Sequence, residues 1–389
     1  MVTNLPAEAK AKWAEVVAAR SPAEKVRLMR EFLSLVPKHK GTSKLIANVK
    51  HRISVLEREL ERDRERRRGG SGLDFSVPKE GAGQIIILGP TNVGRSSLLS
   101  SLTNAKPEIS DIPFTTQKPV VGMLQYCDVQ FQLIEAPALV RGAAEGKMHG
   151  PQILGLARNA DGLIIMVDLS NDPFDQFLTI KSELENVGMI IEKPEGEVEI
   201  IRRAANAGIH IIGGGVLVNC TPEEVKRLVQ GYGIRSALIR IRGKVSLDDI
   251  EGSLFSSNIY KPTLLIANKV DMPGAEEKAE QLKRELGLSI PVLATSCRDG
   301  RGLEDIGRNI FQMLRIIRVY AKEPWEKEPS KKPVILEEGT TVIEAARRLH
   351  STLYERFSYA RVWGSSVKYP GQKVGPDHIL KDGDTIEIH

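Results

Sequence analysis

Short, wholly apolar runs alternate with longer amphipathic stretches through the middle of this chain. Residues 84–88, 129–134, 162–168 and 263–267 are compact runs rich in Ile, Leu and Val. At that length they predict strands buried on both faces. A helix starts at residues 96–102, and helical stretches separate the other runs. The alternation predicts an α/β fold with a doubly wound sheet.

One connection is far longer than a crossover requires. About ninety residues separate Asp168 from Thr263, too many for an unstructured loop inside a domain. They hold apolar runs at 197–201, 209–212 and 237–241 and a capped helix start, Thr221-Pro222-Glu223-Glu224. The stretch at about 172–260 therefore reads as a small α+β insert.

Ahead of the sheet, Ser21-Pro22-Ala23-Glu24 has capping-box form, and Ile46, Val49, Ile53, Leu56 and Leu60 recur at spacings of three and four. Together they predict a helical hairpin over 1–70, ended by the linker Gly69-Gly70-Ser71-Gly72. The α/β domain would span 80–320, its last helix ending near Val319. A charged linker at 321–332 leads to a tail at 333–389, with strand-like runs at 334–336, 360–363 and 384–388 and a helix from Thr341 to about Leu353.

Composition narrows the class. With 389 residues, 41% hydrophobic and 27% charged, the chain has room for two or three globular domains. No apolar run approaches the ~20 residues of a membrane span, so no membrane partner is expected. The N-terminus lacks a signal-peptide core, and Cys127, Cys220 and Cys297 form no paired motif, which points to a reducing, cytoplasmic setting. The net charge is +5, yet residues 1–70 carry 17 Lys plus Arg against 9 Asp plus Glu. That surplus fits either a polyanion-binding surface or a solvated charged helix.

The chemistry concentrates in two places. Gly89-Pro90-Thr91-Asn92-Val93-Gly94-Arg95-Ser96 joins a strand to a helix, where successive backbone N–H groups and a helix N-terminus make an anion cradle. It follows G-x-x-x-x-G-K-[ST] except for Arg95 in the lysine position. The second place is Asn268-Lys269-Val270-Asp271, closing an apolar strand. An aspartate there accepts both N–H groups on guanine's pairing edge; adenine offers no such pair, and an unpaired desolvated carboxylate is costly. Thr295-Ser296-Cys297, with Gly300-Arg301-Gly302-Leu303 beyond, fits a supporting base loop. A P-loop kinase using ATP would leave Asn268 to Asp271 unexplained.

Between these lie Pro113-Phe114-Thr115-Thr116 and Glu135-Ala136-Pro137-Ala138, at the positions of the two nucleotide-sensing switches. With these motifs, the Gly142 to Lys147 stretch, and the tail motifs Tyr359-Ala360-Arg361-Val362-Trp363-Gly364 and Lys368-Tyr369-Pro370-Gly371-Gln372, the chain resembles the Obg-related P-loop GTPases. Within them it is similar to the developmentally regulated GTP-binding protein family, whose tail is a TGS domain of β-grasp, ubiquitin-like fold. The tail aromatics fit either core positions or base stacking.

The resemblance implies that Gly89, Asn92, Val93, Gly94, Arg95, Ser96 and Ser97 wrap the phosphates of GTP or GDP. Ser96 and Thr116 would ligate Mg2+, and Glu135 would hold it through water. Asn268, Lys269 and Asp271 would hold guanine, helped by Ser296 and Cys297. Asn92 matches an asparagine that binds K+ in related enzymes, where the ion supplies transition-state charge. Thr116 and Arg95 would be the catalytic groups, and no glutamine is available where Ras-like enzymes place one, since Leu139 follows Ala138 there. A ribosome or RNA partner, and a regulatory partner protein, follow from the same resemblance.

Three departures qualify the chemistry. Arg95 is bulkier and stiffer than lysine, so on sequence grounds Arg95→Lys should tighten nucleotide binding. Glu135 is one methylene longer than aspartate, and Ala138 replaces a glycine whose peptide flips toward the terminal phosphate. They predict a slow, Mg-dependent GTPase; the alternative is a scaffold that binds GDP or GTP with little or no hydrolysis.

Overall fold

A computed structural model describes residues 5–19, 21–38, 42–67, 75, 77–106, 118–192, 194–202, 208–255, 259–287, 289–326 and 328–389. The chain divides into two units, one formed by residues 1–73 with 193–260, the other by 74–192 with 261–389.

The second unit contains a six-stranded sheet in the order Val292–Ala294, Thr263–Asn268, Gly162–Asp168, Gly83–Leu88, Val129–Glu135, Val120–Tyr126. The first five run parallel and the last is antiparallel. Every residue of Gly83–Leu88, Gly162–Asp168 and Thr263–Asn268 is buried, as their unbroken apolar composition predicts. Because these strands are parallel, their C-terminal ends share one edge of the sheet, where open α/β sheets bind ligands.

Helix Pro173–Glu185 buries Phe177, Ile180 and Leu184 in this sheet's core. The insert therefore starts near residue 193, not 172. Its strands Gly196–Arg202, Ala237–Val245 and Ile209–Ile212 form one sheet, with helices Pro222–Gly231 and Leu247–Phe255. Thr221 and Glu224 form the expected reciprocal cap.

The N-terminal segment is not a separate hairpin. It forms three helices, Ala7–Ala18, Pro22–Leu35 and Ser43–Arg67, and they share a core with the insert. Trp13 meets Phe32 and Phe255 at centroid distances of 4.8 and 4.6 Å, and Tyr232 stands edge-on to Phe255. Ser21 caps its helix by accepting the Glu24 N–H.

The tail also begins earlier than residue 333. The last helix of the nucleotide-type fold is Ile306–Leu314; Arg315 turns the chain at φ 49°, and Ile316–Ala321 is a strand. It lies between Val334–Glu337 and Asp384–Ile388 in a five-stranded sheet completed by Ala360–Trp363 and Gln372–Val374. Its pairing with Asp384–Ile388 is parallel, the others antiparallel. Helix Val342–Leu349 covers one face with Val342 and Ala345, which makes this a β-grasp arrangement. Helix Ser351–Glu355 is distinct from it. Of the tail aromatics, Tyr359 stacks on His389 and carries Lys373 Nζ 3.8 Å above its ring, while Lys322 Nζ stands 4.7 Å over Trp363.

Candidate nucleotide-binding site

The phosphate-type loop leaves strand Gly83–Leu88 and enters helix Arg95–Leu102. Asn92 and Gly94 take φ of 61° and 94°, and Val93 is buried as the anchor. Two glycines are obligatory here. A Cβ on Gly89 would stand 2.8 Å from the Met166 carbonyl oxygen, and one on Gly94 would stand 2.5 Å from Asn268 Nδ2. Gly94's left-handed φ adds strain for any other residue.

Arg95 does not project into solvent. It is 8% exposed, and its Nη1 donates to the Gly89 carbonyl at 2.5 Å. Burial pushes its pKa down to about 10, with nearby Glu135 opposing, so the guanidinium remains charged at neutral pH. Ser96 Oγ donates to Glu135 Oε1 at 2.5 Å. Glu135 is fully buried at the end of its strand, beside Ile87. Ser97 follows in the first turn of the helix.

Beyond Glu135, the segment that continues through Leu139 is fastened to the loop. Leu139 N donates to the same Gly89 carbonyl at 3.2 Å, and Ala138 is buried. Thr116 lies outside the described residues, as do Pro113, Phe114 and Thr115.

At the other end, Asn268 terminates its strand opposite Asp168. Its Nδ2 donates to the Val93 carbonyl at 2.8 Å. Its Oδ1 accepts from Cys297 N at 3.2 Å and Thr295 Oγ1 at 3.3 Å. One buried amide therefore joins the phosphate-type loop, the N-K-x-D corner and the T-S-C loop. Lys269, at φ 70°, reaches Asp168 Oδ2 at 2.6 Å. Burial works to raise the Asp168 pKa, but Lys269 and Ser170 outweigh it and hold the carboxyl below its usual value.

Asp271 is mostly buried, with the exposed Arg298 Nη1 at 3.9 Å from its Oδ2. Ser296 is buried and accepts the N–H groups of Arg298 and Asp299. Burial pushes the Cys297 thiol up to about 11. Asp168 has no site signal in the sequence beyond its place at the end of the strand neighbouring Asn268, whereas Thr295 belongs to the Thr295-Ser296-Cys297 loop that the sequence assigns to supporting the base.

Comparison with known proteins decides the family. Residues 84–200 match the family model described as a 50S ribosome-binding GTPase. Residues 206–316 match the C-terminal region of that domain family, and residues 317–389 match the TGS domain. An uncharacterized GTP-binding protein of Methanocaldococcus jannaschii is 32% identical over 366 residues, spanning 94% of this chain and 92% of that protein. Developmentally-regulated GTP-binding protein 1 of Xenopus laevis is 30% identical, over 90% of this chain and 94% of its own. The chain belongs to the developmentally regulated GTP-binding protein family.

Ribosome-interacting GTPase 1 of Saccharomyces cerevisiae, 30% identical over 94% of this chain and 98% of its own, is similar over the same length. For a member of this GTP-binding protein family, the start of the TGS match at 317 agrees with the strand Ile316–Ala321 and not with a tail starting at 333. These family matches span residues 84–200, 206–316 and 317–389, so the N-terminal helices lie ahead of all three.

Proposed function

We propose that this protein binds guanine nucleotide between the 89–97 loop and the 268–271 corner, and hydrolyses GTP slowly. The observation that supports this reading is the Asn268–Val93 hydrogen bond of 2.8 Å, which ties the 268–271 corner to the 89–97 loop. Main-chain N–H groups of 92–97 would receive the phosphates. Arg95, anchored on Gly89 by one nitrogen, keeps its remaining N–H donors for the β- and γ-phosphates. Asp271 would accept the guanine N1–H and N2–H, and Lys269, Ser296 and Cys297 would border the base.

The residues present suit magnesium. Ser96 donates its proton to Glu135, so its lone pairs remain for a hard cation beside a carboxylate. Ser96 and, by family resemblance, Thr116 would be ligands, with Glu135 holding a coordinated water; bound there, Mg2+ supplies charge to the phosphate oxygens. Asn92 is assigned K+ on the same resemblance.

Ribosome or RNA is the partner we favour, in the cytoplasm. Residues 1–73 and 193–260 carry 26 Lys plus Arg against 17 Asp plus Glu. The chain as a whole is only +5, so the remainder is net acidic and the positive surplus belongs to one unit. Phosphate-backbone recognition would draw on that surplus. No helix among the described residues is long and apolar enough to cross a membrane.

One observation favours a binding scaffold as the second reading. Ala138 is buried and Leu139 N is already engaged by Gly89, which mutes any response of this segment to the γ-phosphate. Single-turnover phosphate release separates the readings. Release faster than buffer and dependent on Mg2+ supports the GTPase; bound GTP that stays intact supports the scaffold.

A further inference from the structure

Helix Pro173–Glu185 presents Asp175, Thr179 and Glu183 at spacings of four, one stripe along its length. All three meet the loop that follows Leu139. At the solvent end, Arg141 reaches Asp175 Oδ1 at 3.6 Å and Thr179 Oγ1 at 3.3 Å. At the inner end, Glu183 is 5% exposed, and its two carboxylate oxygens accept separate main-chain donors, Gly142 N and Ala144 N, each at 2.7 Å. The loop is wound tightly around this anchor. Glu145 N and Lys147 N return to the Gly142 carbonyl, Gly146 N returns to Ala143, and Ala143 and Ala144 are buried.

A carboxylate so deeply buried is tolerated only when its oxygens are satisfied. Here both are, by charge-assisted bonds to backbone. We propose that Glu183 is a positioning residue, a latch that holds the 139–149 segment in one conformation before any nucleotide arrives. The segment is fastened twice, by Glu183 in its middle and by Leu139 N on the phosphate-type loop. A segment already ordered has little ordering left for a terminal phosphate to induce. The latch therefore sets how strongly this segment responds to GTP against GDP. That consequence rests on the proposed nucleotide site; the latch itself does not.

Glutamine at 183 keeps the shape but replaces one acceptor oxygen with an NH2 donor, which would then face a backbone N–H. Amide hydrogen exchange on the full-length protein, free of nucleotide, tests this. In the wild type, the 139–149 segment should exchange at least ~100-fold more slowly than an unstructured chain. Glu183→Gln should raise its exchange by about tenfold or more, with the strand Gly83–Leu88 still protected as proof of folding. With GDP and a non-hydrolysable GTP analogue, the wild-type segment should show equal protection, whereas the variant should become protected with the analogue alone. Free exchange of 139–149 in the folded wild type would overturn the latch, as would unchanged protection in a folded Glu183→Gln. If Glu183→Gln does not fold, the wild-type arm decides alone. A failure to bind guanine nucleotide would remove the proposed function and leave the nucleotide-free arm intact.

Discussion

Asn268 and Val93, 175 positions apart in sequence, are joined by a 2.8 Å hydrogen bond from a buried side-chain amide to a main-chain carbonyl. The same amide's oxygen collects Cys297 N and Thr295 Oγ1. Asn268→Ala would leave these groups unpaired in a dry corner, at about 1–3 kcal/mol. GDP affinity should fall roughly 10- to 100-fold, and Gly94→Ala, which drives a Cβ into the Asn268 amide, should fall within the same range. Calorimetric titration of each variant measures both.

The seat of Arg95 reverses the expectation drawn from sequence. Its guanidinium is buried and anchored on Gly89, so the arginine is fitted to this loop. Arg95→Lys keeps the charge and loses the fork. GDP binding should weaken by about three- to tenfold, and Arg95→Ala should cost more than ~100-fold. Tighter binding by the lysine variant in a labelled-GDP titration would show that Arg95 holds affinity down.

Base selection should rest on Asp271. Asp271→Asn exchanges a double acceptor for one acceptor and one donor, which no longer suits guanine N1–H and N2–H. GDP affinity should drop about 100-fold, while xanthosine diphosphate, with a carbonyl at that edge, should gain. Competition titration with the two diphosphates reads the exchange.

Lys261 gives a pH signature. It is 7% exposed, its Nζ donates to the Ala160 carbonyl at 2.5 Å, and burial lowers its pKa to about 8. The unfolded lysine, at its usual 10.5, then binds more protons than the folded one between pH 8 and 10.5. Stability rises with pH wherever that holds. The wild type should therefore gain thermal stability relative to Lys261→Met as pH climbs from 8 to 10. A difference in Tm that stays flat over that window would show Lys261 titrating normally.

The phosphate-type loop and the N-K-x-D corner were legible because their chemistry is local. Each needs a few residue types in fixed order on a strand end, and the apolar runs mark those ends. Trp13 against Phe255 had no such signal, since their contact depends on a core assembled from segments far apart in sequence. The sequence predicts the end of a helix near Val319, because helical apolar spacing continues into Ile316–Ala321. The β-branched residues of Ile316–Ala321 settle as a strand once Arg315 adopts a left-handed turn and Asp384–Ile388 supplies a parallel partner. Glu183 carries no sequence signal, because an acidic residue on an amphipathic helix reads as solvated; only the fold turns it inward.

Calorimetric titration with GDP and with ADP, in magnesium buffer, tests the central assignment most directly. The two ligands carry the same diphosphate, so any difference comes from the base. A single site binding GDP at least ~1000-fold more tightly than ADP is the expected result. Equal affinities, or no binding of either, would contradict a guanine site between Val93 and Asp271.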